Sequence, residues 1–225
     1  MRDALNLYES SVGKKIFMAV TGVILFLFVL VHMVGNLKIY QGAEKFDAYA
    51  EFLREVGYPA LGHGQMLWIF RLVLLFCVGV HMFAALQLYI RSRKARPIAY
   101  KKFDDLSFSY ASSTMRWGGL VLLAFVVYHV LHLTLGTAHN DFLVGSAYHN
   151  VVAGFSLWYV SLAYIVAMIP LGLHIYHGVW SATQTLALRN PRVLKWRRPV
   201  AAGVAAIIAV GNISIPLAVL GGWVG

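Results

Sequence analysis

Four histidines lie inside strongly apolar stretches of this chain, where an ionisable side chain is costly. They are His32, His81, His129 and His174, one in each of four successive stretches. Ionisable residues inside a membrane are rare and usually functional. Imidazole nitrogens bind metal ions, and two imidazoles on opposite faces of an iron porphyrin would form a b-type haem site. A single such histidine is often only a packing residue, so the spacing of all four must be examined.

The composition identifies an integral membrane protein. The 225 residues are 60% hydrophobic and 12% charged, and the mean hydropathy is +0.69; soluble domains carry about 25% charged residues. Cys77 is the only cysteine, which excludes an internal disulfide, and the absence of a C-x-x-C-H motif excludes covalent haem attachment. The net charge of +10 is explained by an excess of basic residues in cytoplasmic loops rather than by nucleic-acid binding.

Five apolar segments are long enough to span a bilayer, which requires about 20 residues. They are residues 14–38, 66–92, 116–137, 154–184 and 199–222. We therefore predict an all-α integral membrane protein with a single transmembrane domain over residues 1–225. Its predicted parts are a four-helix core that carries the histidines and a fifth helix that serves packing. Residues 44–57 combine apolar helical spacing with a charged face, which predicts a short interfacial helix on the outer surface.

The distribution of basic residues predicts the orientation. Fifteen of the 19 Lys and Arg residues precede the first span, separate the second from the third, or separate the fourth from the fifth. These loops are therefore predicted to be cytoplasmic, with the N-terminus cytoplasmic and the C-terminus outside. The fifteen residues are Arg2, Lys14, Lys15, Arg91, Arg93, Lys94, Arg96, Lys101, Lys102, Arg116, Arg189, Arg192, Lys195, Arg197 and Arg198.

The depths of the four histidines match in pairs. Near the outer ends of their spans, His32 lies eight residues before Tyr40 and His129 eight residues before Thr137, or about 12 Å at 1.5 Å per residue. Near the inner ends of theirs, His81 lies ten residues before Arg91 and His174 eleven before Thr185, or about 15 and 17 Å. Two levels with two imidazoles each suit two bis-histidine haems in a four-helix core. A zinc site needs about four ligands at one place, and a proton relay normally includes an acid, which the five predicted spans lack.

Some assignments stay open at this point. His132 and His177 each follow another histidine by three residues and share its helix face, so either member of each pair could be the ligand. The other member could hydrogen-bond a propionate, a quinone or a carbonyl. Gly79, Gly172 and Gly178 flank the inner histidines and serve either close approach of a macrocycle or helix packing.

Two arginines are candidates for binding haem propionates. Arg71 lies one turn inside the outer end of the second span and needs an anion. That anion is either a propionate of the outer haem or a lipid headgroup reached by snorkelling. Arg116 opens the third span and either binds the inner propionates or anchors the helix at the cytoplasmic surface.

The ordered set of motifs resembles the diheme cytochrome b subunit of succinate dehydrogenases and fumarate reductases, the single-chain five-helix type. The resemblance covers nearly the whole chain, and no single motif is decisive. The motifs are H-M-V-G-N at 32–36, G-A-E-K-F at 42–46, V-H-M-F-A-A-L-Q-L-Y-I at 80–90, R-W-G-G at 116–119 through Y-H-V at 128–130, and H-I-Y-H-G-V-W-S at 174–181.

The resemblance implies which residues bind haem. His32 and His129 would hold the outer, distal haem, and His81 and His174 the inner, proximal haem. The family pattern favours His129 over its neighbour at 132, because the ligand follows an aromatic residue and precedes valine. It likewise favours His174 over the histidine at 177.

The resemblance also implies partners and a role. A flavoprotein subunit and an iron–sulfur subunit would dock on the cytoplasmic side of a bacterial inner membrane. The chain would carry electrons between their clusters and membrane menaquinone, and the dehydrogenase active site would lie elsewhere in the complex. Succinate oxidation and fumarate reduction both fit. Some relatives place a glutamate in the helix of the second proximal ligand as a proton path. Here Leu171 and Gly172 precede His174, so we expect no such path.

Two other functions are compatible with the sequence. One is the cytochrome b subunit of another quinone-linked respiratory complex, such as a hydrogenase, formate dehydrogenase or nitrate reductase; several of these place two ligands on one helix. The other is a haem-free anchor. The candidate quinone contacts are Asn36, Tyr40, Arg71 and His139 near the outer haem and Arg116 and His177 near the inner face.

Overall fold

The computed structural model describes residues 8–95, 110–188 and 190–225, and for residues 110–113 it describes the backbone alone. The described chain is helical and has no strand. Its helices are α1 (Ser11–Asn36), continued by a 3₁₀ turn Leu37–Gln41, α2 (Ala43–Glu55), α3 (Gln65–Lys94), α4 (Tyr110–His129), continued by a π-helical turn Val130–Thr134, α5 (Ala147–Phe155), α6 (Trp158–Thr185) and α7 (Pro191–Leu220).

Five helices among the described residues are long and apolar enough to cross a membrane, which confirms the predicted number. They are Ser11–Gln41, Gln65–Lys94, Thr114–Thr134, Trp158–Thr185 and Pro191–Leu220. The predicted amphipathic helix over residues 44–57 is present as α2, with Phe46 buried. Of the basic loop residues, Arg2, Arg96, Lys101, Lys102 and Arg189 lie outside the described residues.

The fourth span begins later than the predicted residue 154. The chain leaves the helical conformation at Leu157, which separates α5 from α6. The buried hydroxyl of Ser161 donates a 2.6 Å hydrogen bond to the carbonyl of Phe155. This bond satisfies a carbonyl at the end of α5 that has no partner within its own helix. The break between α5 and α6 is therefore stabilised by Ser161, the fourth residue of α6. Apolar periodicity does not reveal such a contact.

The fifth span begins earlier than the predicted residue 199. The side chain of Asn190 accepts a hydrogen bond from the amide of Arg192 at 2.9 Å, and Pro191 occupies the first turn. Both residue types favour a helix start at these positions. The helix continues through Pro199, so the basic segment before the apolar run belongs to α7.

The long helices pack in a definite order around an opening. Helix α1 packs against α3 and α6, and α6 also packs against α4 and, most extensively, α7. No extended backbone contact joins α3 to α4, α1 to α4, or α3 to α6. The helices α1, α3, α4 and α6 therefore form four corners of a bundle in which α1 lies diagonal to α4 and α3 diagonal to α6. Among the described residues, α3 and α4 make no extended backbone contact, and we call the side between them the open side.

The packed core lies away from that open side. One cluster joins Met33 of α1, Ile175 of α6 and Ile208 of α7. A second cluster includes Ile39, Phe46 and residues of α5, α6 and α7. Helix α7, which carries no histidine, thus packs on the outside of α1 and α6.

The two ends of the bundle differ in charge and in covering. At one end, Tyr8 donates to Gln87 at 3.1 Å, and the Arg116 guanidinium lies 4.7 Å from the ring centroid of Tyr89. We call this arginine-rich end, where α3 and α6 finish and α4 and α7 begin, the basic end. The opposite end is covered by α2 and α5, which are joined by a 2.8 Å bond from the Tyr148 amide to Asp47. We call it the α2 end.

Candidate paired-histidine site

The pair nearer the α2 end consists of His32 and His129. Their ring centroids are 5.8 Å apart, with the planes nearly perpendicular at 88°. Phe28 stacks on His32 at 5.2 Å, and Phe125 lies 6.0 Å from His129. Residues of the diagonal helices α1 and α4 thus meet inside the bundle, at the positions that the depth argument predicts.

The pair nearer the basic end consists of His81 and His174, from the diagonal helices α3 and α6. Their ring centroids are 6.1 Å apart. The Nδ1 of His81 lies 3.0 Å from the carbonyl oxygen of Met18 on α1 and donates to it. The other ring nitrogen, Nε2, is then unprotonated and free to bind a metal. A second hydrogen bond of this kind is the usual way in which proteins orient metal-binding histidines.

The two pairs are stacked along the bundle axis. On α1, Gly22 is the neighbour of His81, and His32 follows ten residues later. On α6, Tyr164 lies 5.8 Å from His129, and His174 follows ten residues later. Both helices therefore separate the two levels by about 15 Å at 1.5 Å per residue.

The dimensions of each pair fit a bridging metal. Two imidazoles on opposite sides of one ion, with metal–nitrogen bonds of about 2 Å, have centroids about 6 Å apart. The distances of 5.8 and 6.1 Å agree with this value. The Nδ1 atoms of His129 and His174 are buried without a hydrogen-bond partner in the described part of the chain, and a bound water or ion is one explanation for such atoms. Among the described residues, each level offers two imidazoles, as a haem iron requires.

The enclosed space beside the basic-end pair is small. A cavity of about 30 Å³ touches His174 and is also lined by Met115, Gly118, Pro170 and Leu173. It is too small for a macrocycle, which would need the open side between α3 and α4. Of the three glycines left open by the sequence, a β-carbon at Gly172 would meet Ala209 of α7 at 3.7 Å, which indicates packing. One at Gly79 or Gly178 would meet nothing within 4 Å.

His132 belongs to a different environment from His129. It is 1% exposed, and its Nδ1 is hydrogen-bonded to the Tyr164 hydroxyl at 2.9 Å. Its ring stacks on His139 at 4.7 Å, and a β-carbon at Gly154 would lie 2.7 Å from it. The π-helical turn that starts at residue 130 contains an extra residue and so turns His132 away from the face that carries His129.

His139 also has a structural role. Its Nδ1 accepts a hydrogen bond from the Asp141 amide at 3.1 Å, and its Nε2 donates to the Asn150 carbonyl at 2.8 Å. The two nitrogens therefore bind backbone atoms on either side of the start of α5, one in the preceding loop and one within the helix.

The remaining predicted contacts lie apart from the histidine pairs. Arg71 is exposed, and its guanidinium lies 4.9 Å from the Trp68 ring. Tyr40 is exposed and donates to Ser214 at 2.8 Å. Asn36 is half-buried at the end of α1. Arg116 is exposed at the basic end, beside the open side.

His177 lies next to the basic-end pair but pairs with no other histidine. Its Nδ1 is buried without a partner in the described chain, and its ring meets Trp180 edge to face at 5.5 Å. A separate group of potential metal ligands, Glu51, Glu55 and His63, is exposed on the surface, where Arg54 already pairs with Glu51 at 2.7 Å.

The sequence did not reveal Gly22, Tyr164 and Trp180 as neighbours of the buried histidines. A glycine or tyrosine in an apolar helix has no distinguishing local pattern, and only the contacts identify these residues. Comparison of the chain with protein-family models, with curated proteins and with solved structures finds no match.

The Tyr164–His132 hydrogen bond predicts a measurable stability difference. Tyr164→Phe leaves His132 buried without its partner, at a cost of about 1–3 kcal/mol. We expect a lower midpoint of thermal unfolding for the purified chain. Tyr159→Phe, at an exposed position of the same helix, is the matched control and should unfold like the unmodified chain. Equal midpoints for the two variants would contradict a stabilising bond.

Proposed function

We propose that this chain is the membrane-anchor and electron-transfer subunit of a succinate:quinone oxidoreductase, a succinate dehydrogenase or fumarate reductase, and that it holds two b-type haems. The observation that carries the proposal is the meeting of four partly buried histidines in two diagonal pairs, His32 with His129 and His81 with His174, at centroid distances of 5.8 and 6.1 Å. Packing alone gives no reason for both pairs to have these dimensions.

In the proposed subunit, the four histidines would bind haem iron and their neighbours would position them. His32 and His129 would hold the haem nearer the α2 end, and His81 and His174 the haem nearer the basic end. A bound haem b supplies a carrier for one electron at a time. The Met18 carbonyl keeps Nε2 of His81 unprotonated and aimed into the bundle, and the phenyl rings of Phe28 and Phe125 exclude water around the other pair.

The basic end is the proposed docking face for the flavoprotein and iron–sulfur subunits. Arg91, Arg93 and Lys94 finish α3, and Arg192 and Lys195 begin α7. An excess of basic residues marks the cytoplasmic side of a bacterial inner membrane. With this orientation the haem held by His81 and His174 is the nearer to the partner subunits, and the other lies towards the outer leaflet. The proposed electron acceptor or donor in the membrane is menaquinone.

One ligand per helix favours this assignment over other quinone-linked cytochromes. Several hydrogenase, formate dehydrogenase and nitrate reductase subunits place two ligands on one helix. Here His174 faces His81, whereas His177, one turn further on, faces Trp180. Each of the four helices therefore contributes one histidine to the pairs.

Purification tests the proposed function directly. The complex isolated from membranes should contain two b-type haems per chain, counted by a redox-titrated optical spectrum, together with a flavin and iron–sulfur clusters. A molybdenum or nickel partner would favour the other quinone-linked complexes. A chain without any b-type absorbance would be a haem-free anchor, and the proposal would be wrong.

Substitution of the ligands should separate the two haems. We expect His32→Ala and His129→Ala each to reduce the haem content from two to one per chain, because each removes one ligand of the same iron. His149→Ala, in α5 near the α2 end, is the control and should retain both. Equal loss of both haems from His32→Ala and His81→Ala would contradict the pairing.

Gly22 provides a test that involves no ligand. A β-carbon at this position would lie 3.2 Å from Cε1 of His81, so the branched side chain of Gly22→Val should displace that imidazole. We expect the haem content to fall towards one per chain, with the haem of His32 and His129 retained. Gly203→Val, where a β-carbon meets nothing within 4 Å, is the matched control. Unchanged haem content and spectrum in Gly22→Val would contradict the proposed position of the inner haem.

A further inference from the structure

An apolar groove runs along the outside of the bundle between α6 and α7. Its volume is about 360 Å³, and it is open along its length. Alanines and a glycine make it wide enough to hold a chain of methylene groups. Its walls include Ile169, Leu173 and Tyr176 of α6 and Ala202, Ala206 and Ala209 of α7.

Trp180 and Arg198 lie one helical turn beyond the residues that line the groove, towards the basic end. Trp180 follows Tyr176 by four residues, and Arg198 precedes Ala202 by four, so each continues one wall of the groove. The Arg198 guanidinium lies 4.8 Å from the ring centroid of Trp180. The two side chains therefore join the walls where α6 and α7 come together.

Trp180 has an unsatisfied hydrogen-bond donor at this point. The residue is 7% exposed, and its Nε1 is buried with no acceptor among the described residues. An indole N–H can only donate, and a buried donor without an acceptor costs about 1–3 kcal/mol. The Nδ1 of the neighbouring His177 is also buried without a partner in that part of the chain. The Trp180 donor indicates a ligand with an acceptor group.

The charges next to this donor favour an anionic acceptor. The guanidinium of Arg197 lies 6.0 Å from the Trp180 ring, in addition to that of Arg198. The ion pairs of the described residues involve Glu51 and Asp141, and none of them includes either arginine. A neutral quinone carbonyl would not use two guanidinium groups, whereas a phosphate would.

We propose that this groove binds an anionic phospholipid. One acyl chain lies along the alanine-lined groove, and the phosphate accepts from Trp180 Nε1 beside Arg197 and Arg198. Basic pockets between transmembrane helices on the cytoplasmic side are suited to anionic headgroups. The groove lies on the face of α6 that packs against α7, and this assignment does not depend on haem or on the proposed function.

Lipid binding to the purified full-length chain tests this assignment. The chain is stripped of lipid in detergent and titrated with phosphatidylglycerol or phosphatidylcholine, and bound lipids are counted by native mass spectrometry. We expect one phosphatidylglycerol per chain, bound at least fivefold more tightly than phosphatidylcholine. Arg198→Gln should weaken phosphatidylglycerol binding about fivefold, the usual effect of one basic contact near a membrane surface. Trp180→Phe should also weaken it about fivefold, the usual effect of one hydrogen bond. Ala206→Leu, which fills the groove, should weaken both lipids.

Matched controls lie on the same two helices. Trp196→Phe and Arg192→Gln change exposed residues of α7 that do not line the groove. Ala163→Leu adds the same side chain as Ala206→Leu, but at an exposed position of α6 outside the groove. All three controls should bind phosphatidylglycerol like the unmodified chain. If Trp180→Phe fails to fold, Arg198→Gln and Ala206→Leu, both at exposed positions, decide the outcome.

Three results would overturn the proposal. The first is equal phosphatidylglycerol affinity in the unmodified chain, Arg198→Gln and Ala206→Leu. The second is full displacement of the lipid by millimolar inorganic phosphate, which would identify a site for a free ion. The third is displacement by a menaquinone analogue that depends on Trp180, which would identify the groove as a quinone site.

Discussion

The structure depends on the cost of burying imidazoles in an apolar bundle. Each neutral ring carries one donor and one acceptor, and a membrane offers no water to satisfy them. The chain places the partly buried His32, His81, His129 and His174 in two pairs. Within the described residues, only one of the four, His81, is hydrogen-bonded to a backbone carbonyl of another helix. Under the proposed function, a metal between the members of each pair would bind one nitrogen of each ring.

The bundle places its packed core and its histidine pairs on different faces of the same helices. Helices α1, α6 and α7 share a close-packed core in which Met33, Ile175 and Ile208 are buried. Small residues such as Gly172 allow α6 and α7 to approach each other. The faces of α1 and α6 that carry histidines point to the other side, where α3 and α4 remain apart. The fifth helix therefore supplies the rigidity that holds an open four-helix site.

His129 with His132 and His174 with His177 have the same spacing in the sequence but different environments in the structure. His132 follows His129 by three residues, and a π-helical turn begins between them at Val130. His132 is hydrogen-bonded to Tyr164 and stacked on His139. His177 follows His174 within a regular helix and is left with a buried, unpaired nitrogen beside Trp180. His129 thus belongs to a facing pair while His132 has a structural role. His177 lies beside Trp180, near the groove between α6 and α7.

The sequence by itself determined the membrane class, the five spans, the surface helix and the depth levels of the histidines, because these follow from hydropathy and from the fixed rise of a helix. It placed the start of α6 too early and that of α7 too late, since Ser161 and Asn190 act through individual hydrogen bonds. Only the tertiary structure decided that His129 rather than His132 faces His32, that Gly22 borders His81, and that Trp180 lies one turn beyond a groove. These relations join residues that are distant in the chain, and a helical repeat specifies how residues lie along one helix but not which neighbouring helix they face.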